Sequence, residues 1–256
     1  MDIKIVVATH KKYQFPADDI YLPVQAGSAL NPPLGYQRDD ENDNISAENP
    51  HYCELTALYW AWKNLHADYY GLCHYRRYFT GKRRGKKFER IAGYADLAAA
   101  LQQVPLILPK PRKYFIESNY QQYIHAHHAE DLEVTRRVIT DIAPDYLAAY
   151  DQVMQRSYGS RFNMFVMRRD LFNNYCQWLF GILFELEKRL DISAYSAYDA
   201  RVFGFVGERL LDVYVLKNQL AYTTMELVNL EKQCWFRKIF RFVLRKISSG
   251  RLGKNT

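Results

Sequence analysis

The sequence predicts an α/β protein with an open, mostly parallel central sheet and flanking helices. Ile3 to Ala8 is a compact apolar run that turns polar at Thr9-His10-Lys11-Lys12, the pattern of a strand buried on both faces with a polar exit loop. Leu55, Leu58, Tyr59, Trp62 and Leu65 recur at helical spacing behind Asn49 and Pro50. Asparagine caps helices well, and proline suits the first helical position, so one helix is expected from Asn49 through Leu65. Tyr69 to Cys73 then reads as a second buried strand, followed at once by His74, Tyr75, Arg76 and Arg77. Ligands of open α/β sheets sit just beyond the carboxyl ends of the strands, which makes this polar and cationic burst a candidate site.

The remaining elements follow in order. Tyr13 to Asn44 holds many Pro, Gly, Asp and Asn and little periodicity, so it is expected to be mostly loop. Its acidic run, Asp39 to Asp43, reads as solvated loop rather than metal site. Gly81 to Lys87 is a basic loop, again with a solvated insert as the simplest reading. Tyr94 to Gln103 reads as helix, Val104 to Leu108 as strand, and Tyr120 to Ile139 as one long helix. On that helix His127, His128 and Asp131 would share a face. The spacing matches no standard zinc pattern, and contact with acceptor or phosphate competes with plain surface placement. Arg161 to Met167 reads as strand, and Asp170 as the cap of a helix from Leu171 to Leu190. Gly207-Glu208-Arg209 reads as a helix start with Glu208 in its first turn, favoured there by the helix dipole. A last strand is expected within Leu220 to Leu227.

At 256 residues the chain suits one domain able to bury a substantial core. Aromatic residues reach 15%, with 21 tyrosines; most are expected as core filler, but tyrosine also suits pockets for sugars and bases. The four cysteines show neither metal spacing nor a disulfide framework, consistent with a reducing, cytoplasmic setting. MDIKIVV is too polar to open a signal peptide, and the Leu171–Leu190 segment is too polar to span a bilayer. The net charge of +7 belongs to the end of the chain, where eight lysines and arginines follow the single Glu231. The expected organisation is therefore a domain over 1–230 and a basic segment over 231–256. In that segment Trp235, Phe236, Ile239, Phe240, Val243 and Ile247 recur at helical spacing opposite Arg237, Lys238, Arg241 and Arg245. Such a stripe fits a helix lying on an anionic membrane surface or, alternatively, packed on the domain.

The blocks NISAENPHYCELTALYWAWKN, DYYGLCHYRRYF, RFNMFVMRRDLF and FGFVGERLLDVY resemble a bacterial family of uncharacterised domains found among glycosyltransferases of capsule, exopolysaccharide and O-antigen loci. The resemblance runs from the first strand to the last of these blocks, and HYRRYF is its most specific part. It implies a GT-A-like, Rossmann-like nucleotide-sugar transferase fold. It also implies a nucleotide-sugar donor, UDP-linked, and a lipid-linked oligosaccharide acceptor at the inner face of the cytoplasmic membrane. Many GT-A enzymes hold a divalent metal with an Asp-x-Asp pair after a central strand; here that place carries no acid. Arg76 and Arg77, with His74 beside them, are expected to stabilise the leaving diphosphate without a metal cofactor, although at least one arginine is expected to pair with a structural carboxylate.

Further roles follow from the same resemblance. Glu208 resembles the acid that opens a late helix in inverting GT-A transferases and acts as base, although GERL departs from the usual Glu-Asp pair. Asp199 and Asp131 are alternative bases, and a structural pairing of Glu208 with Arg209 or Arg201 is the competing reading. Thr9, His10, Lys11 and Tyr75 are placed to receive the donor, with Asp43, Asn44, Ser46 and Asn49 closing over ribose or sugar. Asn163 resembles an Asn-x-Gly-type strand position, loosely, since Met164 and Phe165 replace the small residues. With His127, His128 and Asp199 it is assigned to the acceptor. A non-catalytic carbohydrate- or nucleotide-binding module is the alternative function. No nucleic-acid motif, G-x-S-x-G elbow or P-loop is present.

Overall fold

The computed structural model describes residues 1–114 and 116–231, so the basic segment beyond 231 and its membrane reading lie outside the described residues. β1 (Ile3–Thr9) lies near the middle of the sheet. β2 (Tyr21–Gln25) and β3 (Gln37–Arg38) extend one side in parallel, and β4 (Tyr69–His74) lies parallel to β1 on the other. Between β3 and β4 the chain forms α1 (Asn49–Tyr52) and α2 (Leu55–Asn64). Next come β5 (Arg77–Phe79), α3 (Tyr94–Leu101), β6 (Leu106–Pro109) and β7 (Arg112–Lys113). Three helices follow, α4 (Asn119–Ile124), α5 (Ala129–Ile142) and α6 (Leu147–Gln155). β8 (Tyr158–Gly159) pairs with β7, and β9 (Phe165–Arg168) enters the main sheet antiparallel between β4 and β6. The chain continues through α7 (Arg169–Arg189) and α8 (Val202–Lys217). β10 (Thr223–Met225) then runs parallel to β6, and β11 (Leu227–Asn229) antiparallel to β5.

The sheet order β10-β6-β9-β4-β1-β2-β3 is that of a mixed, mostly parallel α/β sheet. From β1 the chain first builds outward through β2 and β3, then returns to β4 on the opposite flank. In open α/β sheets such a reversal marks the crevice that receives ligands, here beyond the paired ends of β1 and β4, where Ala8 lies opposite His74. Alternation within the strands sorts the core into two layers. Val6, Ala8, Tyr70, Leu72, Phe165 and Met167 face the large helical layer, while Ile3, Ile5, Val7, Cys73 and Val166 face a smaller one beneath α3 and β5. Tyr70 stacks on Phe172 of α7 with ring centroids 4.2 Å apart. Gly71 sits where β1, β4 and β9 crowd together; a Cβ there would lie 3.0 Å from Ile5 Cγ1 and 3.1 Å from the Phe165 carbonyl oxygen.

Four expectations change. Tyr13 to Asn44 is not mostly loop, because β2 and β3 lie within it. Pro23 hides β2 in the sequence, yet it is tolerated: Ile5 N bonds Ile20 O and Ala26 N bonds Thr9 O, so even-numbered residues of β2 turn to β1. Pro23 therefore faces the outer side, where pairing with β3 begins only at Val24. The helix expected from Asn49 is split at Cys53, which has φ +55°. The helix expected from Tyr120 is split over His125 to His128. Tyr123 and Asp131 would stand about 12 Å apart along a continuous helix; the break brings the tyrosine hydroxyl to 2.7 Å from the carboxylate. Finally, α8 begins at Val202, so Glu208 lies well beyond its first turn and away from the dipole's end. Among the described residues no helix is long and apolar enough to cross a membrane.

Candidate active site at the ends of the first and fourth strands

The turn between β4 and β5 gathers the polar burst. His74 Nε2 lies 2.7 Å from the Phe162 carbonyl oxygen and 3.8 Å from Glu54 Oε1. The neighbouring Arg77 lays its guanidinium over the Phe162 ring at 4.1 Å, and its buried Nε has no hydrogen-bond partner among the described residues. Burial lowers the Arg77 pKa, the charge of Arg76 beside it adds to the effect, and Glu208 and Glu54 oppose it. Arginine remains a cation through such shifts. Arg77 is thus held in a partly dry place with donor capacity in hand. Arg76 differs: its Nη1 is 3.0 Å from Glu231 Oε2, so one of the two arginines does pair with a carboxylate.

The second wall is α8. Gly204 and Gly207 turn toward the α1–α2 break, where a Cβ on Gly204 would meet Cys53 at 3.3 Å and one on Gly207 would meet Leu55 Cδ1 at 2.9 Å and Asn163 Oδ1 at 3.2 Å. The absent side chains let α8, the helix that carries Glu208, approach Cys53, Leu55 and Asn163 closely. Asn163, in a left-handed conformation with φ +52° after Phe162 at φ +71°, donates to Glu54 Oε1 at 2.8 Å and to Gly204 O at 3.1 Å. It ties the walls together, so the structure gives it a positioning role. Burial pushes the Glu208 carboxyl above the usual carboxylate range and the Glu54 charge adds to this, while Arg209, Arg161 and His74 pull it back only in part. Arg209 Nη1 lies 3.1 Å from Glu208 Oε2, in agreement with the pairing weighed from sequence.

Donor-side expectations divide. His10 packs edge-on against Tyr75 with centroids 5.2 Å apart, and Lys11 Nζ stands 4.8 Å from the same ring. These lie at the crevice. Burial lowers the His10 pKa, and the charges of Lys11, Arg76 and Arg201 add to it. Thr9 is buried and closes the strand, its hydroxyl donating to Lys11 O at 2.7 Å. Ser46 serves the buried Asp39, which also accepts from the Gly27 and Ser28 amides. Asn44 binds Asp40 O and Asn42 O, and Asn49 binds Cys53 O and Thr56 Oγ1. Asp43 lies with Tyr59, Lys63 and Asn64 at the far end of α2, about 15 Å along the helix from Glu54. It does not join the site. Among the described residues, no three His, Cys, Asp or Glu side chains converge as metal ligands.

A third group borders the start of α8. His127 Nδ1 is 3.3 Å from Asp199 Oδ1 and His128 Nε2 is 3.9 Å from Asp199 Oδ2. His127 packs on Phe205 and Tyr198, and His128 stacks on Tyr195 at 4.1 Å. Tyr198 is 57% exposed, so the group presents aromatic surface to solvent. Asp131 is buried instead, accepting from both Tyr123 and Tyr195 at 2.7 Å. Each of its two carboxylate oxygens is taken by one of these hydroxyls.

Residues 4–219 match a sequence family described as a domain of unknown function, DUF4422. The chain belongs to that family. No curated protein matches its sequence. Among solved structures it is similar to the WbbM bifunctional glycosyltransferase in its apo form, with 31% identity and a TM-score of 0.85 over 91% of this chain and 46% of that one. The chain spans less than half the length of that bifunctional protein. The likeness agrees with the α/β sheet seen here and with the fold that the sequence resemblance implied.

One residue of this candidate site carries no signal in the local sequence pattern. Glu54 sits at the lip of α2, mostly buried, between His74 and Asn163. The left-handed Cys53 turns it inward, and continuous helical periodicity across that position hides the turn. The readable signal was the Gly-x-x-Gly pair of α8, which demands a close neighbour.

Proposed function

We propose that the chain is a glycosyltransferase that moves a sugar from a UDP-linked donor to a hydroxyl of a lipid-linked glycan in bacterial capsule, exopolysaccharide or O-antigen synthesis. The observation that carries the reading is the gathering of Arg77, His74 and Glu54 about Phe162 and Asn163 beyond β1 and β4, with α8, the helix of Glu208, packed against them. It occurs in a chain similar to a glycosyltransferase over 91% of its length. In the reaction, the bond between the sugar's anomeric carbon and the diphosphate oxygen breaks and its electron pair leaves with the diphosphate. The acceptor oxygen bonds to that carbon and loses its proton. Glu208, raised in pKa, takes the proton. Arg77 faces the growing negative charge from a partly desolvated place, where a fixed cation acts most strongly. Glu54 holds His74 and Asn163 in position. The rings of Tyr195 and Tyr198, with His127, His128 and Asp199 behind them, offer the acceptor sugars apolar faces and hydrogen-bonding groups.

This reading requires no metal, since fixed cations carry the charge. The protein incubated with a panel of nucleotide sugars should release nucleoside diphosphate in excess chelator, and Arg77→Ala should lose that release. A strict requirement for manganese or magnesium would overturn metal independence. Thermal stabilisation by a nucleotide sugar without any release, even with acceptor present, would favour the binding-module alternative.

A further inference from the structure

Lys11 leaves the end of β1 and Arg76 the end of β4, and both reach one carboxylate from the far end of the described chain. Lys11 Nζ is 3.2 Å from Glu231 Oε1 and Arg76 Nη1 is 3.0 Å from Glu231 Oε2. The two cations are steadied independently of Glu231, because both lie over the Tyr75 ring, Lys11 Nζ at 4.8 Å and Arg76 Cζ at 5.5 Å from its centroid. Lys87 of the basic loop adds a third donor, bonding the Glu231 carbonyl oxygen at 3.1 Å.

We propose that Lys11 and Arg76 form the subsite for the phosphates of a nucleoside diphosphate, and that Glu231 occupies it as a tethered competitor which the ligand displaces. The proposal rests on the nucleotide-sugar reading above and extends it. A carboxylate and a phosphate offer the same paired acceptor oxygens to such a fork, and a diphosphate brings more charge. Lys11, Arg76 and Glu231 each keep a third or more of their side-chain surface in water, and exposed pairs of this kind stabilise a fold little. Release of Glu231 is therefore cheap. Arg77, one residue on, supplies a cation that the carboxylate leaves uncompensated.

The test is calorimetric titration of the full chain with inorganic pyrophosphate and, separately, with UDP. Glu231→Gln keeps the side chain's shape and removes its charge. It should bind pyrophosphate roughly five-fold tighter or more, the low end of ordinary coupling between competing ligands. Lys11→Ala should bind it more weakly. Glu226→Gln, which removes a carboxylate paired to Lys110, controls for net charge and should leave affinity unchanged. Unaltered or weaker binding by Glu231→Gln, or an equal gain in Glu226→Gln, overturns the proposal. Nucleoside diphosphate release is scored independently. Release without the Glu231→Gln gain sinks the subsite alone, and the gain without release supports the subsite while sinking the transferase reading.

Discussion

A carboxylate that accepts a proton from a sugar hydroxyl works best with a pKa drawn toward the working pH, and the surroundings of Glu208 draw it that way. Burial is the larger cause and the Glu54 charge a smaller one. Glu208→Gln should cut turnover ~10²–10⁴-fold with donor binding kept, the usual range for losing an acid–base group. The pH profile gives a finer test. A base acts deprotonated, so kcat/KM should fall as pH drops through the Glu208 pKa, at a pH above the ordinary glutamate value of 4.5. Glu54→Gln removes a nearby negative charge that favours the protonated form, so it should move this acidic limb to lower pH. A limb that stays in place while kcat falls would show that Glu54 acts only on packing.

At the scale of elements, the break between α1 and α2 decides where Glu54 points. Asn49 holds it, donating 2.7 Å to Cys53 O and 3.1 Å to Thr56 Oγ1. Asn49→Ala strands a carbonyl at a strained turn, a loss of about 1–3 kcal/mol, or ~2–4 °C in Tm per kcal/mol for a chain of this size. Donor KM should stay near its original value if Asn49 only holds the turn. A large rise in KM with unchanged Tm would return Asn49 to the donor pocket. The same elements show what sequence conveys. β1 and β4 were legible because burial on both faces forces an apolar run, and α2 because one buried face forces the helical period. Neither signal records a single residue entering left-handed space, so the backbone turns at Cys53, Phe162 and Asn163 left no trace. The cations at the crevice were legible as a cluster. Their partners, Glu231 for Arg76 and the Phe162 carbonyl for His74, come from distant parts of the chain, and local pattern does not carry such pairings.

Across the whole molecule, charge is sharply divided. Residues before 231 are formally neutral, and the entire +7 falls at 231–256. The sheet and the two core layers described above are built from residues before 231, so folding and donor binding should survive deletion of residues 233–256. The deleted sequence repeats apolar residues at three and four positions opposite Arg237, Lys238, Arg241 and Arg245, a pattern suited to a membrane interface. Each basic residue near an anionic leaflet adds about 1 kcal/mol of attraction, and several together would hold the protein on the surface where the proposed lipid-linked acceptor would reside. Salt should weaken this, since the screening length shortens to ~3 Å at 1 M. The full chain should therefore float with anionic vesicles at low salt, leave them at high salt and ignore neutral ones. The truncated chain should stay in solution while its melting temperature still rises with the nucleotide-sugar donor. Full-length protein that remains free at low salt, or a truncated chain that unfolds, would assign the apolar stripe to packing on the domain.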